Sequence, residues 1–123
     1  MERLKYLSLL EALNYGLDNE DTGSVKYFRS DLYSRYIWSK VLTSYYKKEN
    51  ICSEDLLSSP FLSNISRPTV FKIIDNAVAK NYFIKEKDSK DHRKGNIVPS
   101  KITIKEFEEW SEIFSKLYDK AFN

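Results

Sequence analysis

Four polar side chains within the run Ser66–Asn81, Arg67, Thr69, Lys72 and Asn76, have types and spacing suited to recognition chemistry. Arginine can offer paired donors to guanine, threonine can touch a thymine methyl, and lysine can serve a base or a phosphate. A second group follows in the turn Asp88-Ser89-Lys90-Asp91-His92-Arg93-Lys94-Gly95, where Lys90, Arg93 and Lys94 are the cations. There the short Asp88 and Asp91 side chains favour a tight turn, and Arg93 can reach a minor groove or flanking phosphates. All of this chemistry is non-covalent and directed at a polyanion. Asp88 and Asp91 are conceivable as a catalytic carboxylate pair, but a turn rich in Lys and Arg explains them better. The chain has no glycine-rich phosphate loop, metal-ligand spacing or nucleophile motif. His92 is the sole histidine and is expected to be solvated, and Cys52, the sole cysteine, to be a small core or turn residue. No enzyme activity, cofactor or metal is expected.

The elements that must position these groups are legible around them. Ser66 is placed to cap a helix, and Pro68 in the first turn gives up an amide hydrogen that would have no intrahelical partner. Val70, Ile73, Ile74, Ala77 and Val78 recur at spacings of three and four and form its buried stripe, leaving Arg67, Thr69, Lys72 and Asn76 outward. Ser66 and Val70, at the front of the helix, complete the expected contact set. Asn81 can take the left-handed conformation in which helices often end. Upstream, Ser53 is expected to cap a short helix with Glu54 and Asp55 in its first turn and Leu56 and Leu57 buried. Helix, brief turn, helix is a DNA-reading hairpin. Downstream, Phe83 and Ile97 are the expected inward residues of two strands, the second running from Asn96 to Ile102 with Pro99 marking an edge or bulge.

Charge follows the same layout. Of 20 basic and 18 acidic residues, residues 64–95 hold eight basic and four acidic, a local +4, while the remainder carries −2. Positive charge therefore lies where a polyanion would be met. At 123 residues and 41% hydrophobic, the chain suits one globular domain with a modest core. No apolar run approaches the ~20 residues needed to cross a bilayer, and no signal peptide is expected, so a soluble cytoplasmic protein without membrane contact is expected.

Flanking helices complete the layout. Residues 2–15 read as a helix with Leu4, Leu7, Leu10 and Leu13 three apart and Gly16 as its C-cap, and residues 16–29 as a polar connector. Ser30 is expected to cap a helix running to Lys48, with Tyr33, Ile37, Val41 and Tyr45 on one stripe and Trp38 and Leu42 broadening it. Thr103-Ile104-Lys105-Glu106 fits a capping box opening the last helix. In that helix Phe107, Trp110, Phe114, Leu117 and Ala121 step by three and four, a seam able to pack on a partner helix. The expected fold is mainly α with a small β-hairpin wing, a single winged helix-turn-helix domain over 1–123. Its parts are an N-terminal helix and connector (1–29), a winged core (30–103) and a C-terminal helix (104–123).

Ser66-Arg67-Pro68-Thr69-Val70 resembles the start of the recognition helix in many bacterial winged-helix repressors. Asp88-x-x-Asp91-x-Arg93, followed by an apolar strand and Thr103, is similar to the wing of the MarR family of transcriptional regulators. The similarity covers residues 30–122. It implies that Asp91 orients the wing and Arg93 makes the minor-groove contact. It further implies a bacterial homodimeric repressor of double-stranded DNA, recognition helices about one DNA turn apart on a pseudo-palindromic operator, and release by a small phenolic or other effector held between the domain and the dimer region. The chain departs from the pattern at Asn81, where the family usually has glycine, and in the return strand, which holds extra residues and Pro99. One helix follows the wing where the family usually has two, so dimerisation is expected to fall on Leu7, Leu10 and the seam Phe107, Trp110, Phe114 and Leu117. Winged-helix folds also serve as protein-interaction modules; the modest net charge, the acidic residues in the wing and the many tyrosines suit that alternative.

Overall fold

Local signals build most of the elements that the computed structural model describes, which cover residues 2–19, 23–87 and 95–123. In chain order these are α1 (Glu2–Asn19), α2 (Gly23–Arg29), α3 (Leu32–Lys47), α4 (Ser53–Leu57), a 3₁₀ turn (Pro60–Leu62), α5 (Arg67–Ala79), β1 (Phe83–Lys87), β2 (Gly95–Pro99) and α6 (Lys101–Phe122). The strands form one antiparallel hairpin with Phe83 opposite Pro99 and Lys85 opposite Ile97. Paired and alternate residues share a face, so Phe83, Ile97 and Pro99 look inward together, and Phe83 and Ile97 are buried as expected.

The core is shared by Val25 and Phe28 of α2, Ile37, Trp38, Val41 and Leu42 of α3, Leu56 and Leu62 of the α4 region, Val70, Ile74 and Ala77 of α5, and the two strand residues. Phe28 is its hub: the ring stacks on Phe83 at 4.7 Å and on Trp38 at 6.1 Å, and meets Tyr27 edge-on at 5.0 Å. Burying one such ring contributes about 1.5–3 kcal/mol.

Helix α2 corrects the expectation of a polar connector over 16–29. Helix α1 runs through Gly16, and Gly23–Arg29 is helical, with Val25 and Phe28 wholly inside. Seven residues with two apolar positions carry too little periodicity to announce a helix. Its support is distant: the Glu106 carboxylate of α6 accepts hydrogen bonds from Ser24 N (3.0 Å) and Ser24 Oγ (2.5 Å). A carboxylate at a helix N-terminus satisfies an orphan donor and complements the macrodipole. A Cβ at Gly23 would lie 3.0 Å from the Tyr82 hydroxyl, so a larger residue there needs that side chain to give by a few tenths of an ångström.

Three caps shift by one to three residues. Asp31, not Ser30, caps α3, its carboxylate accepting from Ser34 N (2.9 Å) and Ser34 Oγ (2.7 Å). Cys52, not Ser53, precedes α4, where the Asp55 carboxylate accepts from Cys52 N at 2.9 Å and from its Sγ at 3.2 Å. Leu56 is buried there, while Leu57 is only partly so. Ser100, not Thr103, caps α6, and this ends the return strand at Pro99 with no bulge in its described pairing. Thr103 is buried and donates its hydroxyl to the Tyr82 carbonyl at 2.8 Å, while Glu106 reaches α2 rather than its own helix start. On α3, Tyr45 is exposed, so the buried stripe is Ile37, Trp38, Val41 and Leu42.

Candidate nucleic-acid interface

Helix α5 begins as its sequence dictates. Ser66 caps it, its Oγ accepting from Thr69 N at 3.3 Å and sharing a hydrogen with Thr69 Oγ1 at 2.7 Å. Both hydroxyls are thus committed to the cap. The helix closes at Asn81, whose φ of 61° is the left-handed conformation expected there. Val70 is corrected from the contact set: it is 0% exposed in the core and seats the helix instead of meeting a ligand.

The contact residues that α5 keeps, Arg67, Thr69, Lys72 and Asn76, are all exposed, on two sectors of the helix. At about 100° per residue, Thr69, Lys72 and Asn76 fall within about 60° of arc. Among the described residues Lys72 is in no ion pair. Arg67 stands apart on the flank facing α4. Its Nη2 donates to Glu54 Oε1 in an ion pair, and its guanidinium lies 5.4 Å from the centre of the Phe71 ring, one turn on. The sequence reading missed both partners. Glu54 stood out only as a first-turn acid, and the spacing of four between Arg67 and Phe71 is the signal that could have found the second.

The approach to α5 is held from α3. Phe61, in the turn between α4 and α5, stacks on Tyr36 at 4.4 Å, and the Tyr36 hydroxyl is hydrogen-bonded to Ser59 Oγ. Leu62 is buried beneath. The wing is anchored on the other side. Ile97 N donates to Ile51 O at 2.8 Å, Ile51 N donates to Asn96 Oδ1 at 2.9 Å, and Lys85 pairs with Asp75 of α5 at 3.1 Å. The expected wing-tip residues Asp88, Lys90, Asp91, Arg93 and Lys94, with His92, lie outside the described residues.

The expected dimerisation residues divide. Leu7 and Leu10 of α1 are 52% and 55% exposed, beside exposed Leu4 and Tyr6. Phe107 and Trp110 are largely taken up by their own domain, each edge-on to Trp38 at 5.8 and 6.0 Å. Phe114 meets Trp110 at 5.6 Å, and Leu117 faces α1. Helices α1 and α6 meet within the chain, Tyr6 against Phe122 at 4.7 Å, and flank a cleft of 570 Å³ lined by Leu4, Leu9, Ala12, Leu117 and Ala121 with Lys5 and Lys120. At the other end of α6, Tyr46 donates to Glu108 at 3.1 Å; burial, and then that carboxylate, push the phenol pKa up. Arg29 lies 5.2 Å over Trp110, and burial, followed by the nearby Arg35, lowers its pKa. Among the described residues no cluster of three or more His, Cys, Asp or Glu could hold a metal ion, and no helix is long and apolar enough to cross a membrane.

No protein-family model and no curated protein matches the chain. Solved structures do. MepR of S. aureus bound to ethidium bromide superposes with a TM-score of 0.71 at 16% identity, over 96% of this chain and 75% of that one. The fold is the MarR-type winged helix. A MepR variant bound to an oligodeoxyribonucleotide matches at TM-score 0.53 and 17% identity, over 96% of this chain and 73% of its own. BpsR of Bordetella bronchiseptica, described through regulation of its DNA binding by 6-hydroxynicotinic acid, matches at 0.52 and 16%, over 98% and 76%. These neighbours are MarR-family winged-helix regulators and not enzymes. On the MarR-type fold α4 and α5 hold the positions of the helix-turn-helix pair and the β1–β2 hairpin that of the wing.

Proposed function

We propose that the chain is a sequence-specific double-stranded DNA-binding transcriptional regulator, a dimeric MarR-like repressor acting in the cytoplasm, and not an enzyme. The observation that carries this is the exposed face of α5, where Thr69, Lys72 and Asn76 stand together with Arg67 on the flank, on a helix-turn-helix braced by a wing. A recognition helix enters the major groove with its N-terminal residues at the base edges. Lys72 supplies charge to a base or phosphate, and Thr69 and Arg67 supply base preference. Lys90, Arg93 and Lys94 extend the contact to the flanking minor groove, with Asp88 and Asp91 shaping the turn. Two copies pair through Leu7 and Leu10 of α1 and through α6 around Phe114. The MepR variant with an oligodeoxyribonucleotide and the regulated DNA binding named for BpsR support this on the same fold. The cleft between α1 and α6, apolar but for Lys5, Ser8 and Lys120, is the candidate place for a small-molecule effector; ethidium is named with MepR and 6-hydroxynicotinic acid with BpsR.

The test is a binding titration of the full chain on mixed duplexes at several salt concentrations. Binding should fall steeply with salt, because neutralised phosphates release counterions. A protein partner copurifying with the chain, with no salt-sensitive duplex binding, would favour the protein-interaction module instead.

A further inference from the structure

Arg67 is the one cation of the α5 contact set that is already held. A carboxylate thirteen residues upstream on α4 takes its Nη2, and the Phe71 ring lies under the guanidinium. Both partners of the ion pair are more than half exposed, at 59% and 65% of their side-chain surface. An exposed pair of this kind contributes little to folding. Its larger consequence is for the arginine itself. An unrestrained arginine loses rotamer freedom when it binds, whereas a fork already fixed between a ring and a carboxylate loses less. The pair also cancels the charge of Arg67, and an uncancelled cation at that place would add attraction to any phosphate. One contact therefore acts on specificity in two ways.

We propose that Glu54 is a positioning residue for base reading: with the Phe71 ring it holds the Arg67 guanidinium for a base edge and keeps it from serving phosphates. This rests on α5 being the DNA-reading helix. Glutamate on the preceding helix would otherwise be unfavourable beside a polyanion, and the pairing with Arg67 offsets that.

The experiment uses the full chain, the wild type with Glu54→Ala, Glu54→Gln and Arg67→Ala, each confirmed folded by thermal melting. Each is taken through selection from a random duplex pool and a salt titration on a non-specific duplex. Arg67→Ala should lose preference at one base pair per half-site. Glu54→Ala should flatten preference at that same base pair by tenfold or more, while binding non-specific duplex more tightly and with a salt slope steeper by about 0.9. Glu54→Gln keeps the hydrogen-bond acceptor and should retain most of the preference. A purely structural Glu54 would change affinity for all sequences evenly and leave the base profile intact, and that result overturns the inference. So does a Glu54→Ala protein whose preference sharpens, which would make the carboxylate a competitor of DNA. If the wild type selects a site and Arg67→Ala leaves its profile unchanged, the inference fails while DNA reading stands. If the wild type selects nothing, both fall.

Discussion

Lys72 and Thr69 are the single residues at which the proposed affinity and the proposed specificity come apart. Lys72 is exposed and in no ion pair among the described residues, so Lys72→Ala should weaken binding to all duplexes evenly and lower the salt slope by about 0.9 if it meets one phosphate. Thr69→Ala should relax preference at one base pair by about 1 kcal/mol, the value of one buried methyl, read as the change in affinity between matched and mismatched duplexes. Because the Thr69 hydroxyl belongs to the Ser66 cap, Thr69→Ser is the control that retains the hydrogen bond and loses only the methyl. The site was legible in the sequence wherever its logic is local. The Ser66 cap, the exposed Thr69, Lys72 and Asn76, and the left-handed Asn81 follow from spacing and from the chemistry of helix ends. The engagement of Arg67 was not legible, because Glu54 reaches it across a turn whose path depends on Phe61 packing against Tyr36. Val70 shows the opposite case: its place in the apolar stripe was the better guide, and proximity to the helix start was not.

Among the elements, α2 carries the ring at the hub of the core. Phe28→Ala should cost about 3–5 kcal/mol by opening a cavity against Phe83 and Trp38. Glu106→Ala should cost about 1–3 kcal/mol by leaving Ser24 donors unsatisfied. Urea denaturation reads both, with the slope unchanged. Tyr46 predicts the alkaline behaviour of the α3–α6 junction. Its phenol pKa is raised by burial and then by Glu108, so the folded chain holds that proton more tightly than the unfolded chain. The associated stability is full below the ordinary tyrosine value of about 10 and is lost as pH rises through the folded value. Tyr46→Phe should flatten that part of the decline in melting temperature. In the fold, α3, α5, the hairpin and α6 were legible from apolar period and turn chemistry. Helix α2 was not, because seven residues carry no clear period and its N-terminus is capped from 82 residues away. The caps of α3 and α4 moved by one residue through local contacts, Ser30 Oγ donating to Tyr27 O and Asp55 accepting from Cys52 N, whereas Thr103 is drawn off by the distant Tyr82 carbonyl.

For the whole molecule, the proposed pairing of two reading heads rests on the outward face of α1. Leu7 and Leu10 are exposed on a helix whose other side packs on α6. Leu7→Glu combined with Leu10→Glu should convert a dimer to a monomer in sedimentation and, by uncoupling two half-sites, weaken operator binding far more than half-site binding. The measurement that tests the account most directly is selection of bound sequences from a random duplex pool by the purified full chain. The account predicts enrichment of an inverted repeat with half-site centres about 10–10.5 base pairs apart or a multiple of that. A pool that emerges unenriched, with binding insensitive to salt, would contradict it.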